Sequence, residues 1–174
     1  MFKELNMLKV FFEYPNQEFN VREISRILEI APATASSQLR LLAEKSILKE
    51  RKERNFQLYR ADIESENYRD IKLYYNIRKI RSSGLINEIN KFYLKPTIVL
   101  FGSFLYGLDN EESDIDIVII SEKIKSLSNK EKFERILNRR LQLFVLKSIK
   151  ELKNKHLRNN VLNGLVLQGN LKWI

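Results

Sequence analysis

Apolar residues in the first forty positions recur three and four apart, which is the helical period. Phe2, Leu5, Leu8 and Phe12 predict an amphipathic helix over residues 2–13, closed by Pro15-Asn16. Asn20 followed three residues later by Glu23 has the form of a capping box, and Ile24, Ile27 and Leu28 supply the apolar face of a second helix. After the turn Glu29-Ile30-Ala31, Pro32 suits the first position of a third helix that buries Ala35, Leu39 and Leu42. Thr34, Ser36, Ser37, Gln38 and Arg40 are left facing outward. Ile47 to Arg51 and Phe56 to Arg60 then predict a hairpin, with Lys52, Glu53, Arg54 and Asn55 at its tip. Tyr68, Ile71, Tyr75 and Ile80 predict a helix over residues 64–82. Arg78, Lys79 and Arg81 lie near its end, and Ser82-Ser83-Gly84 is the candidate hinge.

The second half alternates between the two periods. Leu85 to Tyr93 predicts a helix, leading through Pro96 into an apolar strand from Ile98 to Phe101 that stops at Gly102-Ser103. A short helix and a polar loop follow, and then Asp114-Ile115-Asp116 opens a second apolar strand running to Ile120. Glu131 to Arg140 predicts a helix and Leu141 to Leu146 a strand. Ile149 to Lys155 and Val161-Leu162 predict short helices, and Leu165 to Leu167 a short last strand before Gly169. The expected fold class is α/β (α+β) in two domains: residues 1–62, a connector helix at 63–83, and residues 84–174 with a small mixed sheet and flanking helices.

Composition narrows the chemistry. There is no cysteine among the 174 residues, so disulfides and thiol catalysis are excluded. The single histidine, His156, cannot build a multi-histidine metal site and is expected on the surface. No apolar run reaches the roughly 20 residues of a membrane span, and no signal-peptide pattern is present, so a cytoplasmic protein with no membrane partner is expected. The net charge of +9 points to a polyanion such as nucleic acid or nucleotide. Residues 1–70 balance, with 12 Lys/Arg against 12 Asp/Glu; the excess lies beyond, 6 against 1 in residues 71–95 and 13 against 9 in residues 96–174.

The stretch VLFGSFLYGLDNEESDIDIVII carries the most specific chemistry. Glycine at 102 lets a ligand approach the backbone, because it has no Cβ to clash. The N–H groups that open the following helix form an anion site. Side chains two apart on a strand face the same way, so Asp114 and Asp116 point together, close enough to share a hard cation. Taken singly, Gly-Ser is also a common turn and Asp-x-Asp a common solvated edge. In this order, apolar strand, Gly-Ser, short helix, polar loop, Asp-x-Asp, apolar strand, the stretch resembles the nucleotidyltransferase superfamily of DNA polymerase β, in particular its minimal branch. The resemblance implies that Gly102 and Ser103 hold the β- and γ-phosphates of a nucleoside triphosphate, with ATP as first candidate. It implies that Asp114 and Asp116 are the catalytic carboxylates and hold Mg²⁺ or Mn²⁺. The family usually carries a third carboxylate on a later strand, where this chain has LQLFVL and Gln142 stands at the best-matching position. An amide is no base and binds Mg²⁺ less strongly than a carboxylate. Glu122, Glu131, Glu134 and Glu151 are the later acids, and none is an obvious substitute.

The stretch VREISRILEIAPATASSQLRLLAEKSILKERKERNFQLYR resembles a winged helix-turn-helix domain of the ArsR or MarR type. That implies duplex DNA as partner, with Thr34, Ser36, Ser37, Gln38 and Arg40 in the major groove and Arg51, Lys52 and Arg54 on the backbone. Arg22, Arg26 and Lys49 could extend the patch, and a winged helix used for protein contact is the competing reading. These families usually place glycine after the recognition helix; here the residue is Ser46. Two functions follow as expectations. One is transfer of a nucleoside monophosphate to a protein, nucleic acid or small-molecule acceptor. The other is transcription regulation with nucleotide as a bound signal. A toxin partner is implied by the minimal branch alone, and a homodimer is compatible with the sequence.

Overall fold

The computed structural model describes residues 2–171, with side chains from Asn6 onward. The chain divides into two compact units, residues 1–75 and 76–174. Among the described residues no helix is long and apolar enough to cross a membrane.

The first unit contains α1 (Phe2–Glu13), β1 (Phe19–Asn20), α2 (Val21–Ile27), α3 (Pro32–Glu44), β2 (Leu48–Glu53), β3 (Phe56–Ala61) and the first part of α4 (Glu66–Ser82). The three strands form an antiparallel sheet in the order β1-β3-β2. Asn20 caps α2 as its sequence requires: its Oδ1 accepts from the N–H groups of Arg22 and Glu23, and the Glu23 carboxylate accepts from the N–H of Asn20 at 2.7 Å. Pro32 opens α3, and Ala35, Leu39 and Leu42 are buried. They pack into one core with Leu8, Phe12, Ile24, Tyr59 and Tyr68. Each such large apolar side chain stabilises the unit by about 1.5–3 kcal/mol relative to exposure.

Several boundaries differ from those the sequence predicts. The inward face of α1 is carried by Met7 and Phe11 as well as Leu8 and Phe12, while the side chains of Phe2 and Leu5 lie outside the described residues. The hairpin strands pair out to Glu53↔Phe56, so Lys52 and Glu53 lie in β2 and only Arg54-Asn55 turns. Arg54 supplies the positive φ of that turn, at 52°. The end of α3 is closed by Ser46 in the left-handed conformation (φ 54°), with Ser46 N–H donating to Ala43 O and Ile47 N–H to Leu42 O, both at 2.9 Å. These are the two bonds of a Schellman cap, made here without glycine.

The second unit contains the remainder of α4, α5 (Leu85–Tyr93), β4 (Thr97–Phe101), a 3-10 turn (Ser103–Tyr106), β5 (Ile115–Ile120), α6 (Lys130–Leu137), β6 (Leu141–Leu146), a second 3-10 turn (Ile149–Glu151), α7 (Lys155–Leu162) and β7 (Leu165–Gln168). The mixed four-stranded sheet has the order β6-β5-β4-β7, with β5 and β6 parallel and the other pairs antiparallel. β4 and β5 are apolar on both faces because both faces are covered. Val99, Phe101 and Val118 pack with Ile149, Leu152 and Val161 on one face. Ile98, Leu100, Ile117 and Ile119 alternate to the other and are fully buried.

Helix α6 stops at Leu137, short of Arg140, because Asn138 takes a left-handed cap (φ 49°). Only Ile149–Glu151 coils in the segment predicted as a helix to Lys155, and Asn154 then caps the longer α7 through the N–H groups of His156 and Leu157. His156 is exposed, as expected for a surface residue.

Candidate nucleotide site

The site grows from the end of β4. Phe101 is opposite Asp116 in the antiparallel pair with β5, so the turn after β4 and the start of β5 are neighbours. At Gly102 the backbone has φ 78° and ψ −167°, a region that only glycine occupies readily. A Cβ built there would lie 2.3 Å from Asp116 Oδ2 and 3.2 Å from its Cγ. Glycine is thus required twice at this position, for its conformation and for its lack of volume.

The turn that follows is closed by its own backbone. Leu105 N–H donates to Gly102 O and Leu108 N–H to Ser103 O, both at 3.1 Å. Gly107 ends it in the left-handed conformation. Before β5, Asn110 organises the loop: its Oδ1 accepts from Glu112 N–H at 3.0 Å and from Ser113 Oγ at 2.9 Å, and its own N–H donates to Ser113 Oγ at 2.9 Å. The loop delivers Asp114 to the mouth of the strand.

Asp114 and Asp116 are both half-buried. Burial, and secondarily the charge of Asp114, hold the Asp116 carboxyl above the usual carboxylate range. Two neighbouring carboxylates, beside the glycine that opens the turn, are a donor set that fits a hard divalent cation. Among the described residues no group of three or more His, Cys, Asp or Glu is arranged to hold a metal.

The parallel register sets Gln142 directly across from Asp116, and Gln142 is exposed. Glu134 is engaged elsewhere: its Oε1 accepts from Leu141 N–H at 2.8 Å and pairs with Lys130 Nζ at 3.1 Å. Those contacts, with the Leu141 N–H the stronger, keep its carboxyl below the usual range. Next to the site, Ser113, Glu111, Glu131, Arg135 and Arg140 line a cavity of about 1060 Å³. Of these the sequence singles out Glu131 alone, as one of the later acids; the loop residues Glu111 and Ser113 carry no periodic signal, and Arg135 reads as part of a solvated helix face.

In the first unit, Thr34, Ser37 and Arg40 are exposed on α3, and Ser36 and Gln38 are partly so. Thr34 and Gln38 also rim a groove of about 630 Å³ floored by Met7, Leu28 and Ile30. Arg51 is not a free cation. Its Nε and Nη2 bond both oxygens of Glu18, at 2.7 and 2.5 Å, and its Nη1 meets Glu53 at 2.6 Å. Lys49 is paired with Asp62 at 3.2 Å and with Glu64. Lys52 and Arg54 project from the hairpin end.

Residues 82–167 match the model of the nucleotidyltransferase domain. That stretch holds Gly102, Ser103, Asp114 and Asp116. No curated protein matches the sequence. Among solved structures, a candidate transcriptional regulator from Rhodococcus sp. RHA1 is similar at 13% identity and a TM-score of 0.32, over 72% of this chain and 46% of that one.

Proposed function

We propose that the second unit binds a nucleoside triphosphate, ATP first among candidates, together with Mg²⁺ or Mn²⁺, and transfers its nucleoside monophosphate to an acceptor. The observation that carries this reading is the close approach of Gly102 to Asp116: a Cβ at 102 would lie 2.3 Å from the Asp116 carboxylate, so the glycine turn packs directly against that acid. Asp114 and Asp116 hold the cation, Gly102 lets the turn pack against the Asp116 carboxylate, and the Ser103 hydroxyl is available to the phosphate tail as a donor. The bound cation supplies charge neutralisation on the triphosphate. In the transfer, an acceptor oxygen bonds to the α-phosphorus, the bond to the β-phosphate oxygen breaks, and pyrophosphate leaves. Gln142 cannot take the acceptor's proton, so that proton passes to solvent or to the acceptor's own groups.

The place of Gln142 favours a second reading, in which nucleotide is bound as a signal and turned over slowly or not at all. Residues 1–62 then act as a winged helix-turn-helix on duplex DNA. Thr34, Ser36, Ser37, Gln38 and Arg40 face the major groove, while Lys52 and Arg54 meet the backbone. The ion pairs of Arg51 leave it a weaker phosphate contact than its neighbours. In either reading a protein partner, whether an acceptor or a toxin, is sought by co-purification.

The test is release of pyrophosphate from labelled ATP with Mg²⁺ by the full chain, compared with Asp116→Asn. Mg²⁺-dependent turnover lost in the variant supports the transferase. Mg²⁺-dependent ATP binding without turnover, with DNA affinity that shifts on adding ATP, supports the regulator. Turnover equal in the two proteins removes Asp116 from the chemistry.

A further inference from the structure

We propose that Asn76 is a positioning residue for the phosphate turn, acting through the carbonyl of Phe104 and the carboxylate of Asp109. The proposal rests on the nucleotide-binding reading above and extends it to a residue more than twenty positions upstream of the motif. Asn76 is 1% exposed and Asp109 2% exposed. The Asn76 side-chain amide has two hydrogens, and both are used. Nδ2 donates to Phe104 O at 2.9 Å and to Asp109 Oδ1 at 2.8 Å.

The two acceptors bracket the turn. Phe104 is its second residue, and Asp109 stands just beyond its glycine end. Gly102 and Gly107 both have positive φ, and the backbone bonds that close the segment gather on its first residues: Leu105 N–H donates to Gly102 O, and Gly107 N–H and Leu108 N–H donate to Ser103 O. The Asn76 amide therefore ties the middle of the turn to the chain after it, and ties both to helix α4. A serine has one donor and a carboxylate none, so a primary amide is the smallest neutral group that can serve both oxygens. Fixing the turn before the ligand arrives removes part of the ordering entropy of binding. The effect falls on the phosphate tail, which meets Gly102 and Ser103, and not on the rest of the nucleotide.

The experiment is calorimetric titration of the full chain with Mg·ATP and with Mg·AMP, comparing the native protein with Asn76→Leu. Leucine keeps the shape of the side chain and removes both donors. The expected result is a loss of ATP affinity of roughly tenfold, with AMP affinity unchanged, so that the preference for the triphosphate falls. Equal loss for ATP and AMP, or no loss, overturns the proposal while leaving the nucleotide reading in place. Native protein that binds no Mg·ATP overturns the nucleotide reading, and this proposal with it. Should Asn76→Leu fail to fold, the native protein decides: the NMR resonance of the Asn76 side-chain amide should shift with Mg·ATP and stay with Mg·AMP. A resonance that ignores ATP overturns the proposal.

Discussion

Gln142 stands directly opposite Asp116 across the parallel pair of β5 and β6. Side chains of residues so paired project to the same side of the sheet, so a carboxylate introduced at 142 joins Asp114 and Asp116. In Gln142→Glu, Mg²⁺-dependent release of pyrophosphate is expected to rise at least roughly tenfold, the effect of about 1.4 kcal/mol. Without metal the same variant should melt at a lower temperature than the native protein, because three carboxylates repel, and added Mg²⁺ should reverse the order. A variant that is indifferent to Mg²⁺ would show that position 142 does not face the cation.

Gly102→Ala places a methyl carbon where Asp116 Oδ2 now lies 2.3 Å away, and does so at a φ of 78°. The expected outcome is loss of Mg·ATP binding in calorimetry. The circular dichroism spectrum should be retained, and stability lowered by about 1–3 kcal/mol from backbone strain and displacement of the carboxylate.

Glu134 links the strength of the α6–β6 turn to pH. Its carboxyl is held below the ordinary value of 4.5, mainly by the N–H of Leu141 and further by Lys130. A lowered carboxylate pKa adds stability that is fully present above pH 4.5 and is lost as pH falls below it, through the folded-state value. Glu134→Gln should cost about 1.5 kcal/mol at pH 7. Urea midpoints of variant and native protein should converge on acidification below pH 4.5; curves that stay parallel would mean that the charge of Glu134 is not what the Leu141 N–H reads.

Ser46 pays the left-handed penalty at the end of α3, with φ at 54°. Ser46→Gly should raise stability by about 1 kcal/mol, read as a higher melting temperature of the first unit. The Schellman bonds to Leu42 and Ala43 do not depend on the side chain, so they should persist.

Much of this architecture can be read from local signals. Asn20, Glu23 and Pro32 announce their helix starts because caps are chemistry within three residues. The spacing from Gly102 to Asp116 is legible because strand, turn and strand each have a short, strict pattern. What escapes is set by distant partners. The pairing of Arg51 with Glu18 spans thirty-three residues and has no periodic signature. Asn76 looks like any polar residue on a helix until Phe104 and Asp109 are brought to it. The segment from Ile149 to Lys155 misleads for another reason: Asn154 is a strong cap, and it starts a helix where the apolar pattern suggested one should end.

The order β6-β5-β4-β7 puts the two strands that carry the site in the interior of the sheet, each hydrogen-bonded on both edges. Amide protons of Leu100 and Ile117 should consequently exchange with solvent only when the whole second unit opens, among the slowest in the chain. The chemistry then has no private hinge: whatever unfolds the sheet dismantles the pocket, and whatever ligand occupies the pocket slows exchange through the entire sheet.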